Sequence, residues 1–176
     1  QIFADKVISN LNPKLLFKKL VAENDVDQEY RRKILNYKCG SGTFRMNVAL
    51  SELPNFKCLP GKSISEHHKS GIVIAPSLTY MDQAFTDAKQ YGWSKKPIVE
   101  MLIPSTVDST LAPEGKHVAS LFCQQFAPKL PNNKSWHDEK HNAANTIIET
   151  VNRFAPNFKE SILGTVSYTH LTLPTT

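Results

Sequence analysis

Residues 97–126 read PIVEMLIPSTVDSTLAPEGKHVASLFCQQF. Pro97–Ser105 and Lys116–Phe126 are rich in apolar and β-branched residues, as strands are. The polar loop between them ends in Ala112-Pro113-Glu114-Gly115. Pro113 presets a turn dihedral, and Gly115 can take a positive φ that a residue with a Cβ resists. The predicted unit is a long antiparallel pair closed by an ordered turn.

Working outward, Thr43–Ser51 alternates cleanly. Phe44, Met46, Val48 and Leu50 fall on one side; Arg45, Asn47, Ala49 and Ser51 fall on the other. The apolar side belongs in a core, and the polar side faces solvent or a cavity. Gly71–Ala75 is a short apolar strand, and Phe3–Asn10 reads as another. Asn12-Pro13 starts a helix, Asn as N-cap and Pro at the first helical position, with Leu15, Leu16, Leu20 and Val21 on its buried side. A second helix is expected from about Val26 to Tyr37, and a third over Ser77–Tyr91 with Tyr80, Met81, Ala84, Phe85 and Ala88 inward. Cys39-Gly40-Ser41-Gly42 reads as a break, and Leu53–Ser70 as a long loop. Ser135-Trp136-His137-Asp138 is a capping box with Asp in place of the usual Glu. It opens a helix to about Phe154, striped by Ala143, Ala144, Ile147, Ile148 and Val151 and closed by Pro156. The fold class is α+β, a mostly antiparallel sheet with helices on one face.

The 176 residues suffice for a domain with a real core, and 40% hydrophobic with 21% charged is ordinary globular composition. No apolar run reaches bilayer-spanning length. QIFADKVISNLNPK has neither a basic n-region nor a long apolar core, so it is not a secretory leader, and the sequence reads as a piece of something longer. The net charge of +5 comes from scattered pairs such as Lys18-Lys19 and Lys95-Lys96 with acids nearby. No basic run interleaves with stacking aromatics, which argues against nucleic acid as a partner. Cys39, Cys58 and Cys123 are odd in number and lack metal spacing. They fit reduced thiols in an intracellular compartment, cytoplasm or mitochondrial matrix, and a catalytic thiol has no supporting motif.

Other chemistry finds little support. Gly40-Ser41-Gly42 continues to Arg45 where a dinucleotide fingerprint needs glycine, and a strand follows where a helix is required. The nucleotide-binding Rossmann part is therefore absent. His67-His68 lie adjacent in a loop, and His137 and His141 share a helix face without a third ligand, so no metal is expected. His117 opens a strand after the Gly115 turn, where lining a cavity and packing the turn are both open to it. Asp108 caps its own loop. No G-x-S-x-G elbow is present.

The wording I-P-S-x-x-D-x-T-L-A-P-x-G-x-H-V-x-S-L-F resembles a segment of the phytoene-desaturase-like flavoproteins, within the flavin amine-oxidase group. Ala4–Asn10 resembles their A-x-x-V-V-S-N strand. Phe44–Leu50, followed by Leu53-Pro54, is similar to their K-x-N-V-A-x-x-x-L-P strand. Gln83–Ala88 and Ala155-Pro156-x-Phe158-Lys159-x-Ser161 also fit, so the ordered set spans most of residues 1–164. The resemblance implies an FAD-dependent oxidoreductase that dehydrogenates a largely apolar small molecule by hydride transfer to flavin. This chain would supply the substrate-side region, inactive alone, while FAD is bound mainly by segments it lacks. Ser9 and Asn10, where such a fold returns toward the nucleotide half, are the implied cofactor-proximal residues. No catalytic residue is implied; peripheral membrane contact and oligomeric state stay open. A flavin-dependent isomerase of the same fold and a non-enzymatic binding or assembly module are the alternatives.

Val166–Thr176, VSYTHLTLPTT, contains no Lys, Arg, Asp or Glu. It resembles one reading frame of a transposase-end adapter used in sequencing libraries. Residues 165–176 are therefore expected to be a non-native tail. The gene recovered from an independently prepared library should diverge after about Gly164; the same eleven residues in that copy would refute this origin.

Overall fold

The pair around Gly115 is present, although its first strand ends at Leu102, where Pro104–Thr106 form a 3-10 turn in place of the expected strand end at Ser105. In the computed structural model, which describes residues 3–38, 42–61 and 63–168, Trp93–Leu102 (β3) and His117–Phe126 (β4) run antiparallel, with Val99 opposite Cys123 and Met101 opposite Leu121. Gly115 has φ +70°, and the Lys116 amide donates to the Pro113 carbonyl at 2.9 Å. Asp108 holds the connecting loop by accepting from the Thr110 amide at 2.9 Å and its hydroxyl at 2.6 Å. β3 starts four residues earlier than its apolar run. Pro97 has no N–H for a ladder, and the pairing with β4 is interrupted between Trp93 and Ile98.

The chain divides into two units, residues 1–39 and 40–176. In the first, Asn12 caps Pro13–Leu15 (α1) by accepting from the Lys14 amide at 2.9 Å, and a π-helical turn follows over Leu16–Leu20. Asp27 caps Gln28–Asn36 (α2). Phe17 and Tyr30 meet edge to face at 5.4 Å between ring centres. The expected strand over Phe3–Asn10 does not form; these residues are exposed and irregular. A strand is defined by its neighbour's hydrogen bonds, and none pairs with this stretch among the described residues. Leu15 and Leu20 are exposed, contrary to expectation, and no described residue of this unit is fully buried.

The second unit is built on a five-stranded antiparallel sheet in the order β2-β3-β4-β1-β5, where β1 is Thr43–Leu50, β2 is Ile72–Ile74 and β5 is Ile162–Tyr168. This is the expected α+β layer. Phe44, Met46, Val48 and Leu50 line up with Ala119, Leu121, Cys123, Val99 and Met101 on one face, all buried. The helix Trp136–Phe154 (α5) covers that face with Ala143, Ala144, Ile147 and Val151. Ser135 caps the helix as read, its Oγ accepting from the Asp138 amide, but the reciprocal half of the box differs: Asp138 Oδ2 accepts from the Ser135 hydroxyl at 2.6 Å and not from its backbone N–H. At one end of the core Phe44, Phe126, Trp93 and Trp136 stack with centroids 5.3–6.1 Å apart, and Trp136 Nε1 donates to the Ala127 carbonyl.

Leu78–Tyr91 (α4) ends at Gly92, whose φ of +96° sets the left-handed cap. A Cβ there would come within 2.6 Å of Leu130. Only Ala84 of its expected inward face is fully buried; Met81 and Phe85 are exposed because α4 lies along β3 and β4 outside the main core. The long loop after β1 contains one unexpected helical turn, Glu66–Lys69 (α3). A second short turn, Phe158–Ser161 (α6), follows Pro156. β5 extends to Tyr168, through the expected boundary at Gly164, pairing Val166 with Asn47. The Cys39–Ser41 part of the expected break and residues 169–176 of the tail lie outside the described residues.

Ile147 is fully buried between α5 and the sheet. Ile147→Ala should cost about 2–5 kcal/mol in denaturant unfolding. Val73→Ala, on the exposed side of β2, should stay within about 0.5 kcal/mol. Equal effects would contradict this assignment of faces.

Candidate functional site

Because side chains alternate along a strand, one buried face leaves a second. Among the described residues of this unit, the helices pack mainly against β3, β4 and β5 and leave the second face of β1 uncovered. Pairing sets its side chains in rows across the sheet. One row runs Arg45, Phe122, Glu100, Val73; the next runs Val166, Asn47, Ser120, Leu102; Gln124 and Ile98 begin a third. Arg45, Phe122, Glu100, Ser120 and Gln124 are half-buried and Ile98 is buried, whereas Asn47, Val73, Leu102 and Val166 are exposed. The Arg45 guanidinium lies over the Phe122 ring at 5.6 Å, a cation–π arrangement. Gln124 Nε2 donates to Glu100 Oε1. A cleft of about 340 Å³ opens here between Arg45, Phe122, Glu100, Ser120, Leu102 and Val73. A surface of this kind can hold an apolar body and orient a polar group, because its charges sit beside low-dielectric walls.

The histidines are mostly structural. In α3 the Ser65 amide donates to His68 Nδ1 at 3.1 Å, and His68 Nε2 donates to the Pro54 carbonyl at 3.0 Å. Thr106 Oγ1 donates to the His68 carbonyl at 3.0 Å. His68 thus ties α3 to both the post-β1 loop and the turn after β3. His67 stacks on it at 3.9 Å, and its buried Nε2 has no hydrogen-bond partner. Desolvation, and then the charge of His68, hold His67 below the ordinary imidazole range. His67 borders a second, mostly apolar cleft of about 430 Å³ along the outer edge of β2, walled also by Phe56, Leu59, Ile72, Ile74 and Phe154. His117 is half-buried with Nδ1 3.4 Å from Ser105 Oγ, and desolvation again lowers its pKa. That is the turn-packing role. His137 and His141 are exposed, and no group of three metal-ligating side chains occurs among the described residues.

The two described cysteines offer no nucleophile with a partner. Cys123 is buried in the core, where desolvation first and Glu100 second push its thiol far above the usual range. Cys58 is a free, exposed thiol beside the β2 cleft. Ser9 and Asn10 sit in the exposed stretch before α1, Ser9 Oγ accepting from the Leu11 amide at 3.4 Å. No described helix is long and apolar enough to cross a membrane.

Sequence reading assigned Arg45 and Asn47 to the polar side of β1. It missed their grouping with Phe122, Glu100 and Gln124, because only the register brings three strands together. Several residues quoted for the family resemblance turn out to be structural. Ala155, Phe158 and Ser161 are buried. Asn157, between them, accepts from the Asn55 amide and donates to Glu52 and to the Leu53 carbonyl.

With that geometry in place, comparison with known proteins gives the chain its relatives. No family model matches it. It is 34% identical over 163 residues, 90% of its length, to pyridine nucleotide-disulfide oxidoreductase domain-containing protein 2 of Rattus norvegicus. The Mus musculus protein of that name is 35% identical over 163 residues. The chain spans 28% of the length of each of these relatives. Among solved structures it resembles a Pyrococcus furiosus protein with a TM-score of 0.43 and 15% identity, covering 89% of this chain and 29% of that one.

Proposed function

We propose that this chain is the substrate-side part of an FAD-dependent oxidoreductase of the phytoene-desaturase-like type. In this reading the open sheet face forms one wall of the cavity in which a largely apolar substrate is dehydrogenated. The observation that carries the proposal is the 34% identity sustained over 163 residues to a protein named for an oxidoreductase domain. The open face supports it, since a half-buried wall of mixed apolar and polar side chains suits a cavity shared with another segment. Free Cys58 and Cys123 support a reducing compartment.

The described residues do not themselves fit a dinucleotide. A pyrophosphate needs amides at a glycine-rich turn that opens a helix. Gly42 leads directly into β1, and a Cβ on it would meet the Phe126 carbonyl oxygen at 2.1 Å. FAD would therefore be held by segments outside this chain, with Ser9 and Asn10 as the cofactor-proximal residues proposed within it. What the chain contributes is shape, orientation and exclusion of water. Residues 1–164 form the substrate-side region in this reading, and 165–176 are foreign to it.

The test is to obtain the complete gene and purify its full-length product. A strand-linked G-x-G-x-x-G upstream of Gln1, and a yellow protein whose flavin bleaches anaerobically with substrate, are expected. An in-frame stop just before Gln1, or a folded full-length product without flavin, would overturn the proposal. Product formation without any net change in the flavin spectrum would replace the oxidoreductase with an isomerase.

A further inference from the structure

We infer that Arg45 and Phe122 form a head-group site that selects substrates ending in a carboxylate. The inference rests on the reading of the open face as a substrate wall. Arg45 has no carboxylate partner among the described residues. It is half-buried on a strand, with its stem beside the sheet and its guanidinium over the Phe122 ring. A guanidinium carries five donors in a planar fork that matches a carboxylate through two parallel hydrogen bonds. Stacking on an aromatic ring occupies its face and leaves its edge free to donate, so ring and carboxylate do not compete for Arg45.

The rest of the row fixes direction. Glu100 lies two strands from Arg45, about 10 Å at the usual interstrand spacing. It already accepts from Gln124. A second carboxylate near Glu100 is disfavoured by like charge, so an anionic end is driven to the β1 side of Phe122. The apolar remainder of the ligand then runs over Phe122 toward Leu102 and Val73, both on the wall of the same cleft and 55% and 61% exposed. Covering those two side chains with an alkyl chain removes apolar surface from water, with Glu100 and Ser120 bordering its path. The occupant is thus a small amphiphile, apolar along its length and carboxylate at one end.

The probes are decanoate and 1-decanol, equal in length and different in charge, titrated calorimetrically into the full-length protein. Wild type should bind decanoate more tightly by roughly tenfold or more, as a charge-assisted bidentate pair implies. Arg45→Gln should abolish that preference while leaving decanol affinity unchanged, which also shows that the variant is folded. Arg45→Lys, which keeps the charge and loses the fork, should retain part of it. A flavin-bearing protein that binds both probes equally, or neither, overturns this inference alone, as does a preference that survives in Arg45→Gln. A full-length protein that carries no flavin overturns the reading beneath it as well.

Discussion

The second unit depends on the register between β1 and β4. Placing Met46 opposite Leu121 and Val48 opposite Ala119 gathers Phe44, Met46, Val48, Leu50, Ala119, Leu121 and Cys123 on one face and leaves Phe122 on the other. The side-chain period is two, so a slip of one residue would turn Phe44, Met46, Val48 and Leu50 to solvent and Arg45 and Asn47 into the core. Burying an unpaired guanidinium costs far more than one strand's ladder returns. The same constraint that makes the core therefore makes the open face, and it puts Arg45 next to Phe122.

The remaining elements hold that register in place. α5 supplies the small residues Ala143 and Ala144, which let the helix approach the sheet, and Ile147 and Val151, which fill the space between. Asn157 and His68 then fix the loop after β1 from two sides, one through Asn55 and Leu53, the other through Pro54. A buried His68 and a half-buried Asn157, each with its hydrogen bonds made, rigidify the loop more effectively than apolar contacts alone. This also gives a physical content to the family resemblance. The Leu53-Pro54 and Ala155-Pro156-x-Phe158 segments lie at one junction, and their chemistry is that of a joint.

Much of this was legible in the residues. The alternation of β1, the Pro113–Gly115 turn, the Asp108 loop cap and the Ser135 N-cap each carry a local signal, and each forms as read. Where the reading failed, the deciding interaction was not local. Phe3–Asn10 has strand composition but no neighbouring strand. Met81 and Phe85 have helical spacing, yet α4 meets β3 beside the core. The site is the hardest case, since Arg45, Phe122 and Glu100 are far apart in sequence and meet only through pairing. His67 and His68 attracted attention as adjacent histidines; one is a tie between loops and the other lines a cleft.

The most direct test of the central claim is an experimental structure of the full-length protein with its flavin. The row Arg45–Phe122–Glu100 is expected to face an enclosed cavity that the flavin ring borders from the opposite side. The same row found open to bulk solvent, or sealed beneath another segment with no cavity between, would contradict it.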